Sequence, residues 1–290
     1  MRARVGLLTV PQVRWVPLPV ERERAAWHGP PGAPRPVRDV PFVPTPEEVV
    51  DDMLGAARLK ETDVVYDLGC GDGRIVISAA KFFGARGVGI DVDADRIKSC
   101  EQNAAKAGVT GRVRFVQQDL FAANLSEATV VTLYLLPWVN VGLRPKLLKE
   151  LRPGSRIISH AFSMKDWLPD RVVRVLNGKK ILYCWMVPAN VQGRWNCTLR
   201  LDDGRKREAV LEFEQEYQMV MGASRVKGRE VMLEQVKMEG RQLSFMLPYR
   251  GGGTSPVMYR CHVEGDVMRG SGRAAWGRAT ELELRARRKT

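Results

Sequence analysis

Asp67-Leu-Gly69-Cys-Gly71-Asp-Gly73-Arg74 decides how this 290-residue chain is read. It follows Val64-Val-Tyr66, a short apolar run that predicts a buried strand. It precedes Ile75 to Phe83, whose apolar spacing predicts a helix. Glycines between a strand and a helix let the main chain turn sharply and let a ligand approach it closely. The spacing is GxGxG, and Arg74 stands where a dinucleotide fingerprint needs its last glycine. Asp67 and Asp72 add negative charge to the loop. That charge suits a ligand with an ammonium group better than a diphosphate.

Outward from this turn the pattern repeats. Upstream, Pro46-Glu47-Glu48 opens a helix carrying Val49, Val50, Met53 and Leu54, with Thr45 as the expected N-cap. Downstream, Gly87 to Ile90 reads as a strand, and Asp93 caps a helix running to about Ala107. Val113 to Val116 and Thr129 to Leu135 are strands, a helix runs through Leu143 to Leu151, and Arg156 to Ser159 is another strand. Val172 to Leu176 and Lys180 to Val187 flank Asn177-Gly178, a strong hairpin signal. Five strand-helix units and a hairpin predict an α/β domain: a parallel sheet with an antiparallel edge.

In such a sheet ligands lie beyond the carboxyl ends of the strands. Asp91 ends the second strand, 22 residues after Gly69, where a carboxylate can accept from both ribose hydroxyls. Asp119 ends the third, placed to accept from an adenine amino group, with Leu120 supplying a backbone N–H. Each feature alone is weak, since an aspartate at a strand end often only caps a helix. Three in order, at matching strand ends, point to one crevice.

The chain divides into an extended Pro/Arg-rich arm (1–43), the α/β domain (44–189) and an antiparallel β domain (190–290). The last segment carries strand-like runs at Trp195–Leu201, Ala209–Tyr217, Val231–Met238, Leu243–Leu247, Val257–Val263 and Glu281–Ala286. Turns such as Asp202-Asp-Gly204, Glu239-Gly240 and Glu264-Gly265-Asp266 separate them, which suggests a sandwich or small barrel. Of the net charge of +13, the arm holds +4, the α/β domain +3 and the β domain +6. Basic flanks suit nucleic acid, anionic lipid or an acidic protein surface, or are simply solvated. The five cysteines are an odd, scattered set without a CxxC pair, which argues against zinc and for a reducing compartment. Apolar stretches such as Val130 to Val141 are interrupted by Thr132, Pro137 and Asn140, so no transmembrane segment is expected. Pro11 cuts the first apolar patch short of a secretory signal. A cytoplasmic location is expected, with an organelle presequence as the alternative because the start is Arg-rich.

Over about residues 40–188 the sequence resembles the class I, seven-strand methyltransferases that use S-adenosylmethionine. Val43-Pro44-Thr45-Pro46 together with the glycine loop resembles more narrowly the protein-lysine methyltransferases of the ATP synthase c-subunit and the adenine nucleotide translocase, and their bacterial relatives. The segment from Gly193-Arg-Trp195 onward resembles a lipocalin-like small barrel. The resemblance implies a Rossmann-like seven-stranded sheet with a C-terminal antiparallel hairpin, followed by that barrel. It implies that the loop glycines Gly69, Gly71 and Gly73 and the residues Asp67, Asp91, Asp119 and Leu120 bind the cofactor. It also implies in-line transfer of a sulfonium-bound methyl group, to a protein lysine amine as the leading acceptor.

Acceptor-side residues are less specific. The fourth strand leads into Tyr134-Leu-Leu-Pro137-Trp138 instead of the Asn/Asp-Pro-Pro-Tyr of many amino-methylating enzymes for adenine or glutamine. Tyr134 and Trp138 either line an acceptor channel or are packing residues. Thr45, Pro137 and Phe162 are further channel candidates, with Trp167 a possible pocket wall. His160 is a base, an orienting group, or a hydrogen-bonded structural histidine; Tyr134 and His160 are the catalytic candidates. Two other functions stay open: a nucleic-acid methyltransferase clamping its substrate with the basic flanks, and a non-catalytic cofactor-binding scaffold. The sequence leaves the oligomeric state undetermined.

Overall fold

The computed structural model describes residues 43–200, 206–226, 229–248, 256–274 and 281–289. The expected arm, but for Val43, and the Asp202-Asp-Gly204 turn lie outside the described residues.

The first sheet assembles from α1 (Glu47–Ala56), β1 (Val64–Leu68), α2 (Arg74–Phe83), β2 (Arg86–Asp91), α3 (Ala94–Ala107), β3 (Val113–Gln117), β4 (Val130–Leu133), α4 (Pro137–Glu150), β5 (Arg156–His160), β6 (Arg171–Val175) and β7 (Lys180–Met186). Its seven strands run β3-β2-β1-β4-β5-β7-β6. Pairing is parallel from β3 through β5, and β7 is antiparallel to both β5 and β6. The strand order reverses between β1 and β4, and sheets of this kind bind ligands beyond the carboxyl ends at such a reversal. Alternate side chains cover the two faces. Val65, Val130 and Ile158 pack with Val49, Met53 and Ile75 of α1 and α2, while Leu68, Leu133 and Ile157 pack with Leu143 and Leu147 of α4.

Three local expectations need correction. Helices follow β1, β2 and β4, but 118–129 after β3 and 161–170 after β5 are loops, so there are three strand-helix units instead of five. In the first loop Asp119 Oδ1 takes the Phe121 N–H and Asn124 Oδ1 takes the Ser126 N–H. Such side-chain turns capture the donors a helix would use. Thr45 does not cap α1: Pro46, extended at φ −55°, ψ 145°, is the N-cap residue and its carbonyl receives Val49 and Val50. Helix α4 starts earlier than read, at Pro137, where a fixed φ favours a first turn. Asp93 caps α3 as expected, accepting from Asp95 N at 2.9 Å.

The second sheet comprises β8 (Gly193–Arg200), β9 (Lys206–Glu216), β10 (Met219–Val226), β11 (Arg229–Met232), β12 (Glu234–Glu239), β13 (Gln242–Leu247), β14 (Val257–Glu264), β15 (Val267–Ala274) and β16 (Glu281–Arg288). All neighbours are antiparallel, and β16 pairs back onto β8. Only Leu233 separates β11, which pairs with β10, from β12, which pairs with β13. One bent strand therefore bridges the two ends of the sheet and makes it a barrel. The interior is packed with Trp195, Phe213, Phe245 and Tyr259. A Cβ on Gly222 or Gly272 would lie 2.6 Å from the ring of Phe213 or Tyr259. Those glycines make room for the rings, and they are why the sequence pattern missed β10 and β15: strands rich in Gly, Ser and Ala carry little apolar signal. Arg288 stacks 4.8 Å from the Trp195 ring and donates to the carbonyls of Asn190 and Gln192 where the barrel begins.

Candidate active site

Asp67 lies in register with Gly89 of β2 and Thr132 of β4. Its carboxylate is buried and accepts from Thr132 Oγ1 at 2.7 Å. Burial pushes its pKa up to about 7; the Thr132 bond opposes that shift, and the charges of Asp91 and Asp72 add to it.

The turn after β1 depends on its glycines. Gly69, Gly71 and Gly73 have φ of 79°, 57° and 80°, a region that excludes most side chains. A Cβ on Gly69 would stand 2.8 Å from Leu135, and one on Gly73 2.8 Å from Phe115. The N–H groups of Gly69 and Cys70 donate to Ile90 O, and Cys100 Sγ donates to Gly71 O at 3.1 Å. Asp91 Oδ2 accepts from Gly71 N at 3.0 Å and Oδ1 from Asp93 N at 3.1 Å. Each oxygen keeps a further lone pair, so the carboxylate fixes the loop and can still receive hydroxyl donors.

Asp72 departs from its expected part. It pairs with Arg74 at 2.6 Å, so its charge is met within the loop. Burial works against its ionisation, but the hydrogen bonds and charge of Arg74 prevail and hold the carboxyl below the usual range. Arg74 also donates to Thr45 O at 2.8 Å, tying the loop to the start of α1. In the sequence Arg74 stands out only where a dinucleotide fingerprint needs a glycine. Asp119 lies past β3, exposed, with one oxygen on Phe121 N, and Leu120 beside it is buried. Asp67, Asp91 and Asp119 thus sit at or just past the carboxyl ends of three adjacent strands.

A second cluster follows β4 and β5. Tyr134, two residues beyond Thr132, stacks on His160 with ring centroids 4.0 Å apart and lies 6.4 Å from Phe162. His160 is buried, and neither ring nitrogen has a hydrogen-bond partner among the described residues, so the ring stack and not a hydrogen bond holds it there. Burial, reinforced by Lys180, pushes its pKa down to about 4. Asn140 of α4 is a residue the reading missed, although a polar side chain inside an apolar run was its signal. It is buried and donates to Ser159 Oγ and to Phe162 O, fixing the chain as it leaves β5. Thr45 is buried, and its carbonyl accepts from Arg74 of the glycine loop and not from this cluster. Pro137 and Trp138 sit exposed on the first turn of α4, outside the ring stack, and Trp167 is buried against Trp185.

The sequence matches the ANTKMT methyltransferase domain over residues 67–171. It is 50% identical over 143 residues to a protein-lysine N-methyltransferase of Saccharolobus islandicus, covering 49% of this chain and 89% of that one. The chain belongs to the ANTKMT methyltransferase family. The human ATP synthase C-subunit lysine N-methyltransferase is 32% identical over 133 residues, 46% of this methyltransferase, which spans little more than half (56%) of the human enzyme. A crystal structure of an RNA methyltransferase from Salinibacter ruber with S-adenosylhomocysteine is similar at 55% identity and a TM-score of 0.50, covering 51% of this chain and 96% of that one. The methyltransferase uses S-adenosylmethionine, and its seven-stranded sheet and barrel agree with the fold the sequence implied. No helix among the described residues is long and apolar enough to cross a membrane.

Proposed function

We propose that this methyltransferase transfers methyl groups to the ε-amine of a protein lysine. The observation that carries the reading is the Tyr134–His160–Phe162 ring stack at the ends of β4 and β5, alongside the Asp67 turn. The names of the archaeal and human relatives accord with it.

The residues fit the cofactor. The glycine turn has no side chain to block an approach, Asp91 retains lone pairs for ribose hydroxyls, and Asp67 is a buried acid suited to an ammonium. Asp119 and Leu120 would hold the adenine end. When bound, the cofactor supplies an electrophilic methyl group on a sulfonium centre. The chain's task is then to position the nucleophile and exclude water. Aromatic faces attract a cationic amine, and an apolar wall lowers a lysine pKa so that the amine can lose its proton. With a pKa near 4, His160 stays neutral at pH 7. Fully buried against Tyr134, it would support that ring without touching an amine itself, and it is too weak a base to keep the proton. We take residues 44–189 as the catalytic domain and 190–290 as an accessory barrel. We place the protein in the cytoplasm, in keeping with five free, buried cysteines.

Incubating a cell lysate with tritiated S-adenosylmethionine tests the acceptor. Label should enter protein and be recovered as methyl-lysine. Label in a nuclease-sensitive fraction would favour nucleic acid instead, a reading supported by the description of the Salinibacter protein and by Arg269, Arg285 and Arg287 around one groove of the barrel.

A further inference from the structure

The barrel is not uniform outside. On β9 and β10 the inward positions are Leu211, Phe213, Val220 and Gly222, so the intervening residues face outward. Met219 pairs with Glu216, Met221 with Glu214, and Ala223 with both Glu212 and Met232. Met219, Met221 and Met232 are 64%, 58% and 59% exposed. Leu168, 61% exposed, adjoins them, since its carbonyl accepts from Gln218 Nε2 at 2.6 Å. Three of the eight exposed large apolar side chains among the described residues share this face, with Leu168 next to its turn. Glu212 is engaged by Arg194, but Glu214 and Glu216 have no ion-pair partner among the described residues. A chain of net charge +13 therefore shows an apolar face edged by Glu214 and Glu216, while the arginines on that face, Arg194 and Arg225, are engaged by Glu212 and Glu230.

This face is fixed to the catalytic sheet. The turn joining β9 to β10 presents Tyr217, which stacks on Trp167 at 5.7 Å, donates to Asp166 at 3.0 Å and lies under the Arg144 guanidinium. Asp166 and Trp167 belong to the loop that begins at Phe162 of the ring stack.

We infer that the outer face of β9, β10 and β11 is the docking surface for a basic segment of the protein substrate in which lysines or arginines alternate with apolar residues. The inference rests on the lysine acceptor proposed above. Charge complementarity selects the partner: Glu214 and Glu216 meet its cations, and they would repel nucleic acid or an anionic membrane. Exposed methionines supply a polarizable, adaptable apolar surface that accepts varied side chains.

The test uses the full chain and its E214K/E216K variant. A fluorescent 20-residue Lys/Leu peptide is the binding probe and a Glu/Leu peptide the control. The wild type should bind the Lys/Leu peptide, lose that binding as salt rises, and ignore the control. The variant should bind at least tenfold more weakly and show at least a tenfold higher KM for labelling lysate protein, with unchanged affinity for S-adenosylhomocysteine. Equal KM and equal peptide affinity in both proteins would overturn the docking face alone. No protein labelling by the wild type would overturn the lysine acceptor, and this inference with it. A photo-reactive residue in place of Met221 should cross-link the peptide. Cross-linking to residues 1–42 of the same chain instead would assign the face to the chain's own arm and overturn the inference.

Discussion

Asp67 makes cofactor affinity depend on pH in a way that can be worked from the structure. With its pKa near 7, the carboxyl is mostly protonated at pH 6 in the free protein. Pairing with an ammonium requires the ionised form, so binding must release the proton. Affinity then scales with the ionised fraction of free Asp67. It is weaker by roughly elevenfold at pH 6 and about 100-fold at pH 5 than on the plateau above pH 7, since each pH unit is tenfold, or about 1.4 kcal/mol. Below about pH 7.5 the ligand's own amine stays largely charged, so the slope belongs to Asp67. Calorimetric titration with S-adenosylhomocysteine, in buffers of different ionisation enthalpy, should count about 0.9 proton released at pH 6 and about 0.1 at pH 8. T132V removes the 2.7 Å hydrogen bond that favours the ionised form, and should move the plateau upward by about one to two pH units. D67N should bind weakly with no slope. Affinity that is flat between pH 5 and 7, with no proton released, would refute the assignment of Asp67 to the ammonium.

Other substitutions probe separate parts. D91A should weaken S-adenosylhomocysteine binding by about 1.5 to 3 kcal/mol in calorimetry, because charge-assisted bonds to ligand and to Gly71 N go together. G69A should reduce that affinity at least tenfold and lower the melting temperature as well, since its Cβ meets buried Leu135 in a turn at φ 79°. Y217A should cost about 2 kcal/mol in urea unfolding, from a lost ring stack and a charge-assisted bond, and Y217F about half of that. His160 titrates near 4 when folded and near 6.5 when unfolded, so the unfolded chain takes the proton first. Its contribution is complete above pH 6.5 and is lost as pH falls toward 4, by up to about 3 kcal/mol. Asp67 works in the opposite sense across pH 4 to 7, so the measurement is the difference between the stability curves of wild type and H160Q. Parallel curves would contradict the buried neutral ring.

The turn after β1 and the strand ends beside it were legible because backbone geometry dictates residue types there. Positive φ at Gly69, Gly71 and Gly73 demands glycine, and strand ends fix where Asp67, Asp91 and Asp119 emerge. Asp72 misled because a sequence shows a charge and not its partner, here Arg74 two residues away. The missing helix after β3 was hidden by Asx turns, whose effect on backbone donors does not show in hydrophobic periodicity. The barrel's strands at β10 and β15 were silent for a related reason: Gly222 and Gly272 are there to admit the rings of Phe213 and Tyr259, and that requirement is set across the barrel, not along the strand.

The same distinction explains why the acceptor side resisted reading. Tyr134, His160 and Phe162 come from two strand ends and meet only because β4 and β5 are neighbours in the sheet. The exit from β5 is then held from two sides. Asn140 and Ser159 take the carbonyl of Phe162 from within the sheet domain, and Tyr217 and Gln218 of the barrel hold Asp166, Trp167 and Leu168 a few residues on. A loop without helical hydrogen bonds thus gains its shape from two structures folded separately in sequence. On this arrangement the barrel does more than append a surface. It fixes the far end of the segment whose near end carries Phe162 of the ring stack, the wall proposed for the acceptor, so substitutions at the β9–β10 turn should register at Phe162.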